Sequence, residues 1–149
     1  MRRAIRDGFE LDDDPARIDV DAVHAFISRQ SYWGRGRPRE RVERTIAGST
    51  RVVGLYLGSE QVGFARAVSD GVTVAYLADV YVLPIHRGRG LGLELVREMV
   101  EGGPQDPDAN VRWLLHTADA QGLYAKLGFA EGRATYPLME RGRGYDGRP

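Results

Sequence analysis

The stretch Val82-Leu83-Pro84-Ile85-His86-Arg87-Gly88-Arg89-Gly90-Leu91-Gly92 carries the sharpest chemical signal in the chain. Glycines at alternate positions let a backbone turn tightly and approach a ligand closely. The surrounding pattern predicts that a strand ends and a helix begins here. At such a junction unbonded N–H groups and the helix dipole favour an anion, and Arg87 and Arg89 add positive charge. A phosphate or pyrophosphate suits that environment. Two familiar phosphate signatures do not match. Walker A requires a lysine that is absent near this loop, and the dinucleotide fingerprint read from Gly88 requires glycine or alanine where Leu93 stands. From these residues alone, a glycine-rich connection with incidental arginines is an equal alternative.

A second cluster, Gly34-Arg35-Gly36-Arg37-Pro38-Arg39, contains Arg-Gly-Arg-Pro, the core of an AT-hook that enters the minor groove of A·T-rich DNA. Such hooks normally sit in basic disordered tails. Here the motif lies between the aromatic pair Tyr32-Trp33 and a helical pattern bearing Glu40 and Glu43, so nucleic-acid binding is the minor alternative. Lys+Arg and Asp+Glu are 21 each, so the net charge is zero, which argues against coating a polyanion through bulk charge. All the cations but Lys126 are arginine. The chain has no cysteine, which excludes disulfides, thiolate metal sites and cysteine nucleophiles. His24, His86 and His116 are scattered rather than spaced as ligands, so no metal is expected. No apolar run is long enough for a membrane span, and the start lacks a secretory signal, which leads to the expectation of a cytoplasmic protein.

The elements that must position these residues follow from periodicity. A short first strand is expected within 3–11. Asp19 then caps a helix whose apolar side is Val20, Val23, Ala25, Phe26 and Ile27. Pro38 opens a second helix to about Ala47. Strands at 51–57, 61–68 and 73–83, separated by Gly58-Ser59-Glu60 and Ser69-Asp70-Gly71, read as an antiparallel meander. A helix over about 90–101, with Leu91, Leu95 and Met99 on one face, follows the glycine loop. A strand at 111–117, a short helix near 120–127 stopped by Gly128, and a last strand or two around 134–139 complete the order βααβββαβαβ. The expected fold class is α/β (α+β): a mixed, mostly antiparallel sheet with helices on both faces. Residues 1–140 are expected to form one domain, and 141–149 a frayed tail.

Arg87-x-x-Gly90-x-Gly92, preceded by Val82 and Pro84, resembles the acyl-CoA loop of the GCN5-related N-acetyltransferases (GNAT). Leu123-Tyr124-Ala125-Lys126-Leu127-Gly128-Phe129 resembles the tyrosine-bearing helix and Gly-Phe turn of the same family. Order, separation and element pattern also agree, so the resemblance covers nearly the whole chain. Segments 31–38 and 78–82 are similar to those of a bacterial subgroup of small acetyltransferases. One departure is Thr117, where many members carry asparagine.

The resemblance implies acetyl-CoA as co-substrate, no metal, and direct attack of a primary amine on the thioester in a ternary complex. It implies that backbone groups of Tyr81 and Val82 line the pantetheine and that Arg87, Gly88, Arg89, Gly90, Leu91 and Gly92 hold the pyrophosphate. Thr117 would stand in for the missing asparagine. Tyr124 is the implied general acid, since a phenol near pKa 10 is protonated when a thiol near 8.5 leaves. A tyrosine packed in the core is its structural alternative. Asp79 interrupts an apolar strand and is either base or amine-binding group, or a structural aspartate bonded to backbone. His116 is a weaker alternative base. Tyr32 and Trp33 would form a lip of the acceptor site, with a hydrophobic plug under the loop as the structural alternative. A small-molecule or peptide amine is the implied partner, and dimerisation is common in the family. A degenerate acyl-CoA-binding protein without turnover is the other reading.

Overall fold

The computed structural model describes residues 1–103, 109–132 and 136–142. Six strands form one sheet in the order β1-β2-β3-β4-β5-β6. The first five pair antiparallel, and β5 (Val74–Val82) pairs parallel with β6 (Arg112–Leu114). A parallel pair requires a crossover, supplied by α3 (Leu91–Glu101). Helices α1 (Val20–Arg29) and α2 (Arg39–Ala47) precede the meander β3 (Arg51–Leu57), β4 (Glu60–Ser69) and β5. α4 (Gln121–Ala125) follows β6.

The first expected strand is two strands. β1 (Arg2–Ala4) and β2 (Phe9–Asp12) form a hairpin with Arg2 opposite Asp12 and Ala4 opposite Glu10. Asp7 and Gly8 both take positive φ, at 58° and 79°, and reverse the chain. An Asp-Gly pair is a strong hairpin signal, and reading 3–11 as one element passed over it. At the other end, Ala134 and Thr135 of the expected last strand lie outside the described residues. Tyr136–Met139 run without strand pairing among the described residues, and Pro137 could not donate to a ladder there. The observed order is therefore ββααβββαβα. Residues 143–149 of the expected tail are likewise outside the described residues.

Both faces of the sheet are covered, as the unbroken buried run Val52–Tyr56 requires. On one face Leu91, Leu95, Val96 and Met99 of α3 pack with Leu11, Val53, Leu55 and Leu77. On the other, Val23, Phe26 and Ile27 of α1 and Val42 of α2 pack with Val52, Phe64 and Tyr81. Asp19 caps α1 by accepting from the Ala22 N–H at 2.9 Å. The far end of α3 is clamped by Arg51. Its Nη1 donates to the carbonyls of Glu98, Met99 and Gly102 at 2.6, 3.1 and 2.8 Å, and its Nη2 donates to the Glu98 carboxylate at 3.0 Å. This guanidinium satisfies orphan carbonyls, complements the helix dipole, and so fixes where the α3 N-terminus points.

Candidate active site

Two irregularities in β5 open a cleft. First, its register against β4 shifts: Phe64 faces Tyr81 but Arg66 faces Ala78, so Asp79 and Val80 together oppose Ala65. This is a β-bulge with Asp79 in the left-handed region at φ 51°, a conformation aspartate tolerates better than most residues. Second, β6 pairs only with Val74, Ala75 and Tyr76. Beyond Tyr76 the two strands diverge. Between the second half of β5 and residues 116–120 lies a cavity of about 440 Å³.

Tyr32, Trp33, Asp79, His116, Thr117 and Tyr124 all line this cavity, although the chain separates them widely. Arg37, Arg66 and Tyr76, which sequence reasoning did not select as site residues, line it too. A signal for Arg66 existed. It interrupts the apolar run of β4 as Asp79 interrupts β5, and opposite charges on adjacent hairpin strands invite pairing.

Asp79 is the most heavily engaged side chain. Its carboxylate accepts from Trp33 Nε1 at 2.9 Å, from Arg37 Nη1 at 3.1 and 3.0 Å, and from Arg66 Nε at 2.6 Å. Burial pushes its pKa up, but the charges of Arg66 and Arg37, with hydrogen bonds from Arg66 and Trp33, outweigh burial and hold it below the ordinary carboxylate value. Such a carboxylate is a poor proton acceptor at neutral pH. Of the roles expected for Asp79, this arrangement favours positioning its neighbours over accepting a proton. Its partners are side chains rather than the loop backbone, and they tie the loop after α1 to the bulge.

That loop is itself tightly built. Ser31 Oγ donates to the Ile27 carbonyl at 2.6 Å and accepts from the Gly34 N–H at 3.0 Å, while the Gly36 N–H donates to the Ser28 carbonyl at 2.9 Å. Gly34 has no room for a side chain, since a Cβ would meet Ile27 Cγ2 at 2.5 Å and Arg37 Cζ at 3.2 Å. With Arg37 turned inward onto Asp79, the Arg-Gly-Arg-Pro sequence does not present its two arginines together. This removes the basis for an AT-hook.

Tyr124 is buried, and its ring meets Phe129 edge to face at 5.7 Å. Burial, with smaller contributions from Tyr32 and Asp119, pushes its pKa up to about 12. Tyr32 stands beside it, exposed, and its hydroxyl accepts from the Ala118 N–H at 2.8 Å. Thr117 Oγ1 accepts from the Ala120 N–H at 3.0 Å, so its oxygen shapes the turn into α4. At the cavity mouth Tyr76 Oη lies 2.7 Å from His116 Nδ1, and His116 Nε2 lies 3.4 Å from a Glu140 oxygen.

The glycine loop lies past the end of β5, roughly 10 Å along the strand from Asp79. Gly88 and Gly90 take φ of 77° and 76°, and Gly90 caps α3 without a side-chain hydrogen bond. A Cβ on Gly88 would meet nothing within 4 Å. Among the described residues no side chain caps the first N–H groups of α3, an arrangement compatible with an anion cradle. Arg87 Nε donates to the Val82 carbonyl at 2.9 Å and braces the loop against the strand, while Arg89 is exposed. Gly92 packs inward, with Leu123 Cδ1 3.1 Å from where its Cβ would be. The Tyr81 ring is stacked on Phe26 at 4.0 Å, and neither Tyr81 nor Val82 lines the cavity, whose β5 wall ends at Val80.

The sequence profile of the acetyltransferase (GNAT) family matches residues 17–129. The chain belongs to that family. A Gibberella zeae protein provisionally named an acetyltransferase is 32% identical over 143 residues, covering 81% of this chain and 78% of the relative. A crystal structure from Xanthomonas campestris pv. campestris, described as a GNAT-family protein, is similar with a TM-score of 0.79 at 37% identity, covering 89% of this chain and 92% of that one. A Deinococcus radiodurans structure at 22% identity and TM-score 0.69 shares the fold over 100% of this chain and 99% of its own. GNAT acetyltransferases use acetyl-CoA and act on small-molecule or peptide acceptors. Among the described residues no helix is long and apolar enough to cross a membrane, and no group of His, Asp and Glu is arranged to hold a metal.

Proposed function

We propose that residues 1–140 form one N-acetyltransferase domain that moves acetyl directly from acetyl-CoA to a primary amine within a ternary complex. The observation that carries this reading is the divergence of β5 from β6 beyond Tyr76, with Tyr124 across the opening and the bare α3 N-terminus past its end. The cleft suits a long, thin thioester arm. The N–H groups of residues 88–92 suit its pyrophosphate, with Arg87 and Arg89 supplying charge. Backbone groups of Tyr81 and Val82 border the arm, and Thr117 borders it from the opposite wall.

Acetyl-CoA supplies an activated acyl group on a thiol that leaves readily. The amine nitrogen bonds to the acetyl carbon, the carbon–sulfur bond breaks with its electron pair going to sulfur, and the amine loses one proton. Tyr124 keeps its own proton because burial holds its pKa near 12. Complete transfer to a thiolate of reference pKa about 8.5 is uphill, so its role is a hydrogen bond that strengthens as charge develops on sulfur. For the amine proton, His116 is the proposed acceptor in place of Asp79, whose lone pairs are taken; the ring would exchange its Tyr76 or Glu140 contact for the amine. Tyr32 and Trp33 wall the acceptor side.

Thermal-shift titration with acetyl-CoA, followed by free-thiol release across an amine panel, tests the reading. Expected are stabilisation by acetyl-CoA, amine-dependent release, and intersecting initial-velocity lines. Parallel lines would indicate a covalent acetyl-enzyme. Binding without release for any amine would indicate a degenerate acyl-CoA binder, and absence of binding would overturn the assignment.

A further inference from the structure

Around Asp79 the cavity holds more positive charge than its own architecture needs. One carboxylate is met by two guanidiniums, and each spends little of its hydrogen-bonding capacity on it. Arg66 uses only Nε, at 2.6 Å, and Arg37 uses only Nη1, at 3.1 and 3.0 Å. The remaining N–H groups of both make no hydrogen bond among the described residues, yet both side chains line the cavity with only 17% and 15% of their surface exposed, Arg37 and Arg66 respectively. A single guanidinium would neutralise Asp79. A second leaves the wall with net positive charge, and its unused N–H groups, which are not sealed from solvent, are open to an anion. Planar guanidinium forks match carboxylate and phosphate oxygens two at a time.

We infer that the acceptor amine carries an anionic group, a carboxylate or a phosphate, which docks against the free edges of Arg37 and Arg66. This rests on the acetyltransferase reading above and specifies its substrate class. The other charges facing the cavity fit the same orientation. Asp119 is exposed on the opposite wall near Tyr124, where its negative charge helps raise the tyrosine. His116 stands at the mouth with Tyr76. An amino-acid-like acceptor therefore lies with its anion toward the arginines and its amine toward Tyr124 and Asp119. A polyamine would place a cation against the arginine pair and is disfavoured.

The test compares matched amines on the intact protein with acetyl-CoA saturating. The pairs are α-amino acids against their decarboxylated amines, and ethanolamine phosphate against ethanolamine. Expected is a kcat/KM at least about tenfold higher for the anion-bearing member, the scale of a charge-assisted hydrogen bond. Which pair shows it separates carboxylate from phosphate. Arg66→Gln is expected to raise the KM for that acceptor by about tenfold or more. The KM for acetyl-CoA should stay unchanged, and Arg66→Lys should restore part of the loss. Equal or higher kcat/KM for the uncharged-tail amines overturns the inference while leaving the acetyltransferase reading intact. If no amine turns over, calorimetric titration of the same pairs decides it: tighter binding of the anion-bearing member supports it, and equal or weaker binding overturns it. Failure of acetyl-CoA itself to bind is a failure of the broader reading, visible separately.

Discussion

Past the end of β5, residues 88–92 offer a ligand bare backbone, with N–H groups fixed by two left-handed glycines and a helix start. Within β5, the bulge at Asp79 offers side chains from the loop after α1, from β4 and from β5 itself, drawn together by Trp33, Arg37 and Arg66. On the proposed reading the first surface takes a pyrophosphate, a group common to every acyl-CoA, and needs only local geometry. The second is assembled from long-range contacts and can vary without disturbing the first. That division suits a transferase in which the donor is shared across a family and the acceptor is particular to each member.

The largest expected effect comes from breaking the side-chain end at its centre. Asp79→Ala leaves two guanidiniums facing each other in a mostly buried place and should cost about 3 kcal/mol or more in chemical denaturation. The same pairing gives a pH signature. The Asp79 pKa is lowered in the folded state, so its contribution is full above the unfolded value near 4 and is lost as pH falls through the folded value. Urea midpoints between pH 7 and 3 should therefore fall more steeply for the wild type than for Asp79→Asn.

Next in size, Tyr124→Phe removes the hydrogen bond to the developing thiolate and should lower kcat by about a hundredfold while acetyl-CoA affinity stays nearly constant. A loss in affinity matching the loss in kcat would make this residue a packing element. Gly34→Ala drives a methyl into Ile27 and Arg37 and should cost about 1–3 kcal/mol, raising acceptor KM more than acetyl-CoA KM. At the backbone end, Gly88→Ala should cost about 1 kcal/mol of backbone strain and weaken acetyl-CoA with the acceptor KM unchanged. Equal effects of the two glycine variants on both substrates would erase the division between the ends. Arg35→Ala should change neither substrate, because the side chain is exposed and outside the cavity.

The two ends also differed in how far they could be read from the chain. Gly88, Gly90 and Gly92 are close together, and a strand-to-helix junction is a local event, so their placement followed from spacing. The helices, the meander and the Gly128 stop were legible for the same reason. The Asp79 cluster was not, because the Trp33–Asp79 and Arg37–Asp79 contacts join residues more than forty positions apart. Periodicity marked Asp79 as an interruption without saying whether it met backbone, solvent or arginine. The pairing register that brings Arg66 opposite Ala78 depends on the bulge, and a bulge has no fixed sequence pattern. The N-terminal hairpin was missed for a simpler reason: Asp7-Gly8 is a turn signal inside what reads as one apolar-alternating run.

Amide hydrogen exchange with and without acetyl-CoA tests the location of the donor site most directly. Slowed exchange at residues 88–92 and at Val80–Val82 is expected, with α2 unaffected. Unchanged exchange in both segments at saturating acetyl-CoA, or protection confined to other parts of the chain, would contradict the assignment of this cleft.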